Sequence, residues 1–127
     1  MNDSIILNIP AKADYLMTVR LAASSIGSRM GYDINDIEDI KTATAEACLI
    51  IIQVGNSSHI KVEFDIDDNR MKVNVIGVEG ESLNAHNTVE DSSLSEYLLE
   101  ALSDELVINR ENELIDSISF CKNLTVK

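Results

Sequence analysis

The sequence lacks an excess of basic residues, a long apolar run and a regular spacing of metal-binding side chains. Its 127 residues include 10 lysines and arginines against 22 acidic residues, which gives a net charge of −12. Phosphate is repelled by such a surface, so we expect no nucleic acid partner and favour a basic protein segment instead. The longest apolar stretch, residues 47–52, is far shorter than the roughly 18–20 residues of a membrane span, so we expect no membrane association.

Neither the amino terminus nor the cysteines indicate a secreted or metal-binding protein. The opening MNDSIILNIP has no basic start followed by an apolar block, so we expect no signal peptide. Cys48 and Cys121 form no metal-like spacing with His59 and His86, and two buried thiols in a reducing compartment are the simpler interpretation. We therefore expect a cytoplasmic protein with no metal site.

Hydrophobic periodicity and turn signals predict the order of the secondary structure. The predicted elements are a strand over 4–9, helices over 14–30 and 33–54, strands over 60–66 and 70–76, a long loop over 77–91, a helix over 92–103, and strands over 105–109 and 114–121. Runs of strands with segregated helices favour an α+β fold, here a two-layer sandwich with three helices on one face of a mostly antiparallel mixed sheet. The length is that of a single domain over residues 1–127.

Both ends of the predicted helices carry recognisable signals. Gly31 is typical of a carboxyl-terminal cap, and Asp33 of the amino-terminal cap of the next helix. The acidic cluster of Asp36, Glu38 and Asp39 fits a solvated helix start better than a metal site. The predicted buried stripe of the second helix is Ile34, Ile37, Ile40, Ala43, Ala47, Cys48 and Ile51. That of the third helix is Leu94, Tyr97, Leu98 and Ala101 or Leu102.

Three stretches carry a family resemblance. They are MTVRLAASSIGSRMGYDINDIEDIKTATAEAC over 17–48, VNVIGVEGESL over 73–83 and SSLSEYLLEALSDEL over 92–106. Together they resemble the RsbW/SpoIIAB family of anti-sigma factor serine kinases, which have the GHKL, or histidine-kinase-like, ATPase fold. The resemblance implies a homodimer that binds a sigma factor and an antagonist protein alternately. Active members also phosphorylate a serine of that antagonist with ATP and Mg²⁺.

The first family motif is a helix with a glutamate, the general base, and an asparagine one turn later that helps to hold Mg²⁺. Glu46 matches the glutamate, but the asparagine position is Ile50, and a following family histidine is Val54. Isoleucine has no oxygen to offer a hard cation. Glu46 is therefore a vestigial base at best, or a surface residue paired with a cation, and Ile50 is expected to be buried against Val78, Leu94 or Leu98.

The other two motifs are an Asp-x-Gly turn that binds adenine and a glycine-rich lid that wraps the phosphates. Gly80 remains in the turn, but the aspartate position is Val78, and the adjacent Glu79 points to the opposite side of a strand. The lid segment contains no glycine and places Glu96 near any triphosphate. The degenerate nucleotide-binding positions are thus Ile50, Val78, Gly80, Ser92, Ser93 and Ser95. We expect no cofactor, the alternative being ATP and Mg²⁺ held by divergent contacts.

Arg20 is the candidate for partner binding. It lies in the middle of the first helix, in the most family-like segment of an acidic chain, and its planar guanidinium suits carboxylates at interfaces. An ordinary surface arginine is the alternative. The sequence thus predicts an anti-sigma-factor-like regulator in a partner-switching system, without kinase activity. The alternatives are an active serine kinase acting on an antagonist and a heterodimer partner of an active paralogue.

Overall fold

The computed structural model describes residues 2–54, 57–79, 93–111 and 114–124. In chain order its elements are the strand β1 (Asp3–Pro10), a 3-10 helix (Ala13–Tyr15), the helices α1 (Leu16–Met30) and α2 (Ile34–Val54), the strands β2 (Ser57–Ile66) and β3 (Arg70–Glu79), the helix α3 (Ser93–Leu102), and the strands β4 (Glu105–Glu111) and β5 (Leu114–Asn123). This is the predicted order. The loop predicted from residue 77 begins later, because β3 continues to Glu79, and the rest of that loop, with His86, lies outside the described residues.

The five strands form one sheet in the order β1-β2-β3-β5-β4, and each pairing is antiparallel. Side chains on one face are buried beneath the helices, among them Val62, Phe64, Met71, Val73, Val75, Ile118 and Phe120. The two-layer α+β sandwich predicted from the sequence is therefore confirmed. The prediction of a mixed sheet needs correction, since the described strands contain no parallel pair. In the described part of the chain no helix is long and apolar enough to cross a membrane.

The helix α2 packs against both other helices and against the strands β2, β3 and β5, and its predicted caps are present. Gly31 has the left-handed φ of 94° that ends α1, and the carboxylate of Asp33 accepts a hydrogen bond of 2.8 Å from the backbone N–H of Asp36. The core residues of α2 are Ile40, Ala43, Thr44, Ala47, Cys48, Ile50 and Ile51. Ile34, which the periodicity placed on the buried stripe, is 79% exposed because it is the first residue of the helix.

The sequence analysis predicted the wrong side of α3 as its buried face, because the helix is rotated about its axis relative to the expected orientation. Leu94 and Tyr97 are 71% and 68% exposed, Ala101 is exposed, and Leu99 is fully buried instead. Leu98 and Leu102 are half-buried. The segment SLSEYLLEAL has apolar residues on more than one side, so its periodicity fits two orientations, and packing against α2 selects the one that buries Leu99.

Tyr32 joins the turn between α1 and α2 to the sheet. Its side chain is buried, and its hydroxyl donates a hydrogen bond of 2.5 Å to the backbone carbonyl of Lys122 and accepts one of 2.9 Å from the N–H of Met71. Burial raises the pKa of the Tyr32 hydroxyl from 10.0 to about 12. A single hydroxyl thus satisfies backbone groups of two neighbouring strands.

Lys122 ties the carboxyl end of β5 to two helices. Its Nζ lies 3.4 Å from a carboxylate oxygen of Asp39 and 3.8 Å from one of Asp36, and it donates to the carbonyl of Leu102 at 3.2 Å. The acidic start of α2, predicted to be simply solvated, is therefore neutralised in part by a lysine from the far end of the chain. No group of described side chains could hold a metal ion.

The bridging role of Tyr32 predicts that Tyr32→Phe lowers the free energy of unfolding. The loss should be about 1–3 kcal/mol, because the N–H of Met71 and the carbonyl of Lys122 lose a buried partner. Urea denaturation at neutral pH measures it. Tyr15→Phe, at an exposed tyrosine of the 3-10 helix, is the matched control and should change stability by less than about 0.5 kcal/mol.

The stabilities of the same variants can also be compared at alkaline pH. The Tyr32 hydroxyl keeps its proton in the folded chain up to a pKa of about 12, whereas in the unfolded chain it loses it near 10.0. Between these values the unfolded chain binds fewer protons, so stability falls as the pH rises through this window. Tyr32→Phe should remove that part of the fall, and identical slopes in mutant and wild type would contradict the assignment.

Candidate functional site

The candidate site begins on the second half of α2. Glu46, Ile50 and Val54 are spaced by four residues and so follow one face of the helix. Glu46 and Val54 are half-buried, whereas Ile50 is 1% exposed and belongs to the same core cluster as Leu99 and Val75. The predicted burial of Ile50 is therefore observed, and an aliphatic side chain occupies the middle of this face.

The residues expected to cover Ile50 behave differently from one another. Leu98 is half-buried on α3, but Val78 is 41% exposed and Leu94 is 71% exposed. Ile50 is therefore enclosed by the core and not by a collapsed pair of Val78 and Leu94. The expectation failed for Leu94 because α3 is rotated relative to the predicted orientation.

Three polar or titratable side chains lie shortly before Ile50 on α2, namely Thr44, Glu46 and Cys48. Thr44 is fully buried and donates its hydroxyl to the carbonyl of Ile40 at 2.7 Å. Burial raises the pKa of the Cys48 thiol to about 12, so this sulfur stays protonated at neutral pH and is not a nucleophile. Among the described residues the carboxylate of Glu46 has no ion pair or hydrogen bond, so the cation suggested for it from the sequence is not observed there.

Gly77 shows how closely β3 passes α2 at this end of the fold. A Cβ atom placed on Gly77 would lie 2.2 Å from the Oγ of Ser57 and 3.0 Å from the Cγ2 of Ile51. Any side chain here would collide with β2 and press on the core. The sheet is therefore packed tightly at the residue just before Val78, the position at which the family motif carries its adenine-binding aspartate.

The family lid positions are only partly described. Gly80 and Ser92 lie outside the described residues, Ser93 is exposed, and Ser95 is half-buried near the start of α3. Glu96 forms an ion pair with Arg110 of β4. The carboxylate that was expected to bring negative charge near a triphosphate is thus paired with an arginine 14 residues away in sequence, which the local pattern could not reveal.

A second candidate surface lies on α1. Arg20 is half-buried and forms no ion pair or hydrogen bond with the described part of the chain. Met17 and Leu21, on either side of it along the helix, are each 62% exposed. We call Met17, Arg20 and Leu21 the α1 face. The two apolar residues fall outside the buried side of this helix, which carries Val19, Ala23 and Ile26. The departure of Met17 and Leu21 from that spacing is a sequence signal that could have indicated an exposed apolar surface.

Comparison with known proteins agrees with this arrangement. Residues 9–115 match the family described as histidine kinase-like ATPase domain. The chain is 34% identical over 125 residues to the serine-protein kinase RsbW of Bacillus velezensis, covering 84% of this chain and 78% of that protein. It is 30% identical over 129 residues to the serine-protein kinase RsbW of Bacillus subtilis, covering 87% and 80%. The chain belongs to the RsbW-type family of histidine kinase-like ATPase domains.

A solved structure extends the likeness to the fold. The RsbW-type chain superposes on a crystal structure of the RsbU and RsbW domains of a Mycobacterium tuberculosis protein with a TM-score of 0.73. The match covers 96% of this chain but only 32% of that longer one, at 20% sequence identity. The shared feature is the arrangement of the sheet and helices described above.

The buried position of Ile50 predicts that Ile50→Asn destabilises the fold. The amide would enter the core without partners, at a cost of about 1–3 kcal/mol from desolvation alone. Ile34→Asn makes the same chemical change at the exposed first residue of α2 and is the matched control. Urea denaturation of both variants tests this, and equal stabilities would mean that Ile50 faces solvent.

Proposed function

We propose that this RsbW-type chain is an anti-sigma-factor-like binding protein of a partner-switching system, without kinase activity. The main support is Ile50, which is buried in the core at the position where the family pattern carries a magnesium-holding asparagine. Mg²⁺ needs oxygen ligands, and this helix face offers it a hydrocarbon. Val78, at the family position of the adenine-binding aspartate, also supports the proposal. A single cytoplasmic domain over residues 1–127 suits this role, because sigma factors act in the cytoplasm.

The binding half of the proposal rests on the α1 face. Exposed Met17 and Leu21 offer apolar contact area, and Arg20 between them has no partner among the described residues. Interfaces favour arginine and methionine, and a guanidinium flanked by apolar side chains suits a carboxylate of a partner. The partner we propose is a sigma factor, an antagonist protein, or both in alternation.

A second candidate function is an active serine kinase that phosphorylates the antagonist with ATP and Mg²⁺. It is favoured by the relatives, which are named serine-protein kinases at 30–34% identity, and by the presence of Glu46 on α2. A third is a heterodimer partner of an active paralogue. Recovery of the chain with its partners from native cells separates the heterodimer partner from the anti-sigma-factor-like protein. The heterodimer partner should be recovered with a paralogue and without a sigma factor.

Loss of the nucleotide site predicts that a nonhydrolysable ATP analogue with Mg²⁺ does not raise the melting temperature. A ligand stabilises a protein only by binding its native state, so an unchanged melting temperature at millimolar nucleotide means no useful affinity. The Bacillus subtilis relative, assayed in parallel, is the positive control. A rise for the present chain that disappears without Mg²⁺ would favour the kinase.

The α1 face predicts that Arg20→Ala weakens capture of the sigma factor recovered with the wild-type protein. The loss should be about 1–3 kcal/mol, as for arginines at the centre of interfaces. Arg29→Ala, at an exposed arginine in the last turn of the same helix, is the matched control. Equal affinities for Arg20→Ala and wild type would remove Arg20 from the interface, and a lowered melting temperature would assign it a structural role.

We also propose a homodimer with β1 and α1 near its interface. The edge strand β1 exposes Ile5 and Ile6, and the α1 face exposes Met17 and Leu21. Light scattering at tens of micromolar should give twice the chain mass of 14.0 kDa, since stable interfaces of ordinary size hold at about that concentration. A mass of one chain would contradict this arrangement.

A further inference from the structure

The strand β4 leaves part of the helix-side face of the sheet uncovered. Leu106 pairs in register with Phe120 of β5, and Ile108 with Ile118. Phe120 and Ile118 are buried under the helices, but Leu106 and Ile108 are only half-buried. Since α3 ends at Leu102 and packs mainly on α2, the side chains of Leu106 and Ile108 form an apolar floor that is partly open to solvent.

A groove of about 430 Å³ lies over this floor. Its lining residues are Glu100, Ser103, Asp104, Leu106 and Ile108, which we call the β4 groove. Glu100 is exposed and makes no ion pair or hydrogen bond with the described residues. The groove therefore combines an aliphatic floor with an acidic rim, in a chain whose net charge is −12.

Fixed contacts hold the groove in shape at both ends. At one end Glu96 of α3 pairs with Arg110 of β4. At the other, Asp104 accepts a hydrogen bond of 2.7 Å from the N–H of Asn123, and its own N–H donates to the carbonyl of Cys121 at 2.9 Å. These contacts join α3 and the turn that follows it to β4 and β5, so the groove is already formed in the free protein.

The backbone beside the groove is also available. β4 is the last strand of the sheet, and residues 105–109 pair regularly with β5 before a register shift at Arg110. Alternate N–H and C=O groups of such an edge strand point away from the sheet, where no described strand pairs with them. An edge of this kind is a template for an additional strand.

We propose that the β4 groove binds an extended segment of a partner protein in which lysine or arginine alternates with aliphatic residues. The segment adds a strand beside β4, so its backbone pairs with the open edge. Basic side chains on the groove side lay their methylene stems over Leu106 and Ile108 and bring their charged ends to Glu100. This surface shares no residue with the α1 face and is an interaction beyond the proposed function.

A second copy of the chain is a poor occupant. Pairing of two β4 strands would bring two acidic rims together, each carrying Glu100 and Asp104. Like charges across an interface are strongly disfavoured. The charge of the groove therefore selects a basic partner.

The test is a titration of the ¹⁵N-labelled full chain with the peptide Ac-KVKVKVK-NH2, followed by amide chemical shifts and hydrogen exchange. We expect shift changes concentrated in residues 99–110 and slower exchange in β4. The peptide Ac-EVEVEVE-NH2 has the same valines with the opposite charge and should not bind. Binding of both peptides, binding of neither, or shifts spread evenly over the protein overturns the proposal.

Two charge reversals separate the groove from general electrostatic attraction. Glu100→Lys should weaken binding of the basic peptide by about fivefold or more, because the rim then repels it. Asp14→Lys makes the same change in net charge at an exposed site in the 3-10 helix and should leave the affinity within about twofold of wild type. Equal weakening by both variants overturns the groove as the site. Arg20→Ala should leave peptide binding unchanged, so failure of the α1 face and failure of the groove are distinguishable.

Discussion

The packing of α2 against the sheet is the constraint on which the rest of the molecule depends. This helix touches α1, α3 and the strands β2, β3 and β5, so every layer of the fold meets it. Its inward side chains are at most 1% exposed, and full burial of an isoleucine contributes roughly 1.5–3 kcal/mol. Ile50 lies at the position where the family pattern carries an asparagine, so the side chain that departs from the pattern is also part of the core. The departure from the family pattern at this position therefore also contributes to the stability of the fold.

The features of this chain that fit partner binding lie on its surface and not in its interior. Along the face of α2 that carries Ile50, the structure describes one carboxylate, Glu46, beside buried hydrocarbon. The edges of the sheet and the outer side of α1 carry exposed apolar residues and selected charges instead. Residues at such positions face solvent and do not contribute to the core. They can therefore be substituted to fit a partner without disturbing the packing of α2.

Much of the fold was predictable because its signals are local. Gly31 and Asp33 mark a helix end and a helix start, and the carboxylate of Asp67 accepts hydrogen bonds from the N–H groups of Asn69 and Arg70 to build the turn between β2 and β3. The orientation of α3 was not predictable from periodicity, since its apolar residues surround much of the helix. Long-range pairs were also invisible: Lys122 lies 83 positions from Asp39 in the sequence. For the candidate site, only the family comparison gave Ile50 a meaning beyond that of a core residue, and nothing local located the groove beside β4.

The two buried cysteines can report local opening of the structure. Cys48 lies in the layer between α2 and the sheet, whereas Cys121, in register with Lys72, lies on the opposite face of the sheet. Both are buried, and burial raises the pKa of each thiol. Thiol reagents react with thiolates, so each sulfur is modified only when its surroundings separate. The rate of modification under native conditions therefore reads the free energy of opening separately for the helix layer and for the outer face of the sheet, without an introduced probe.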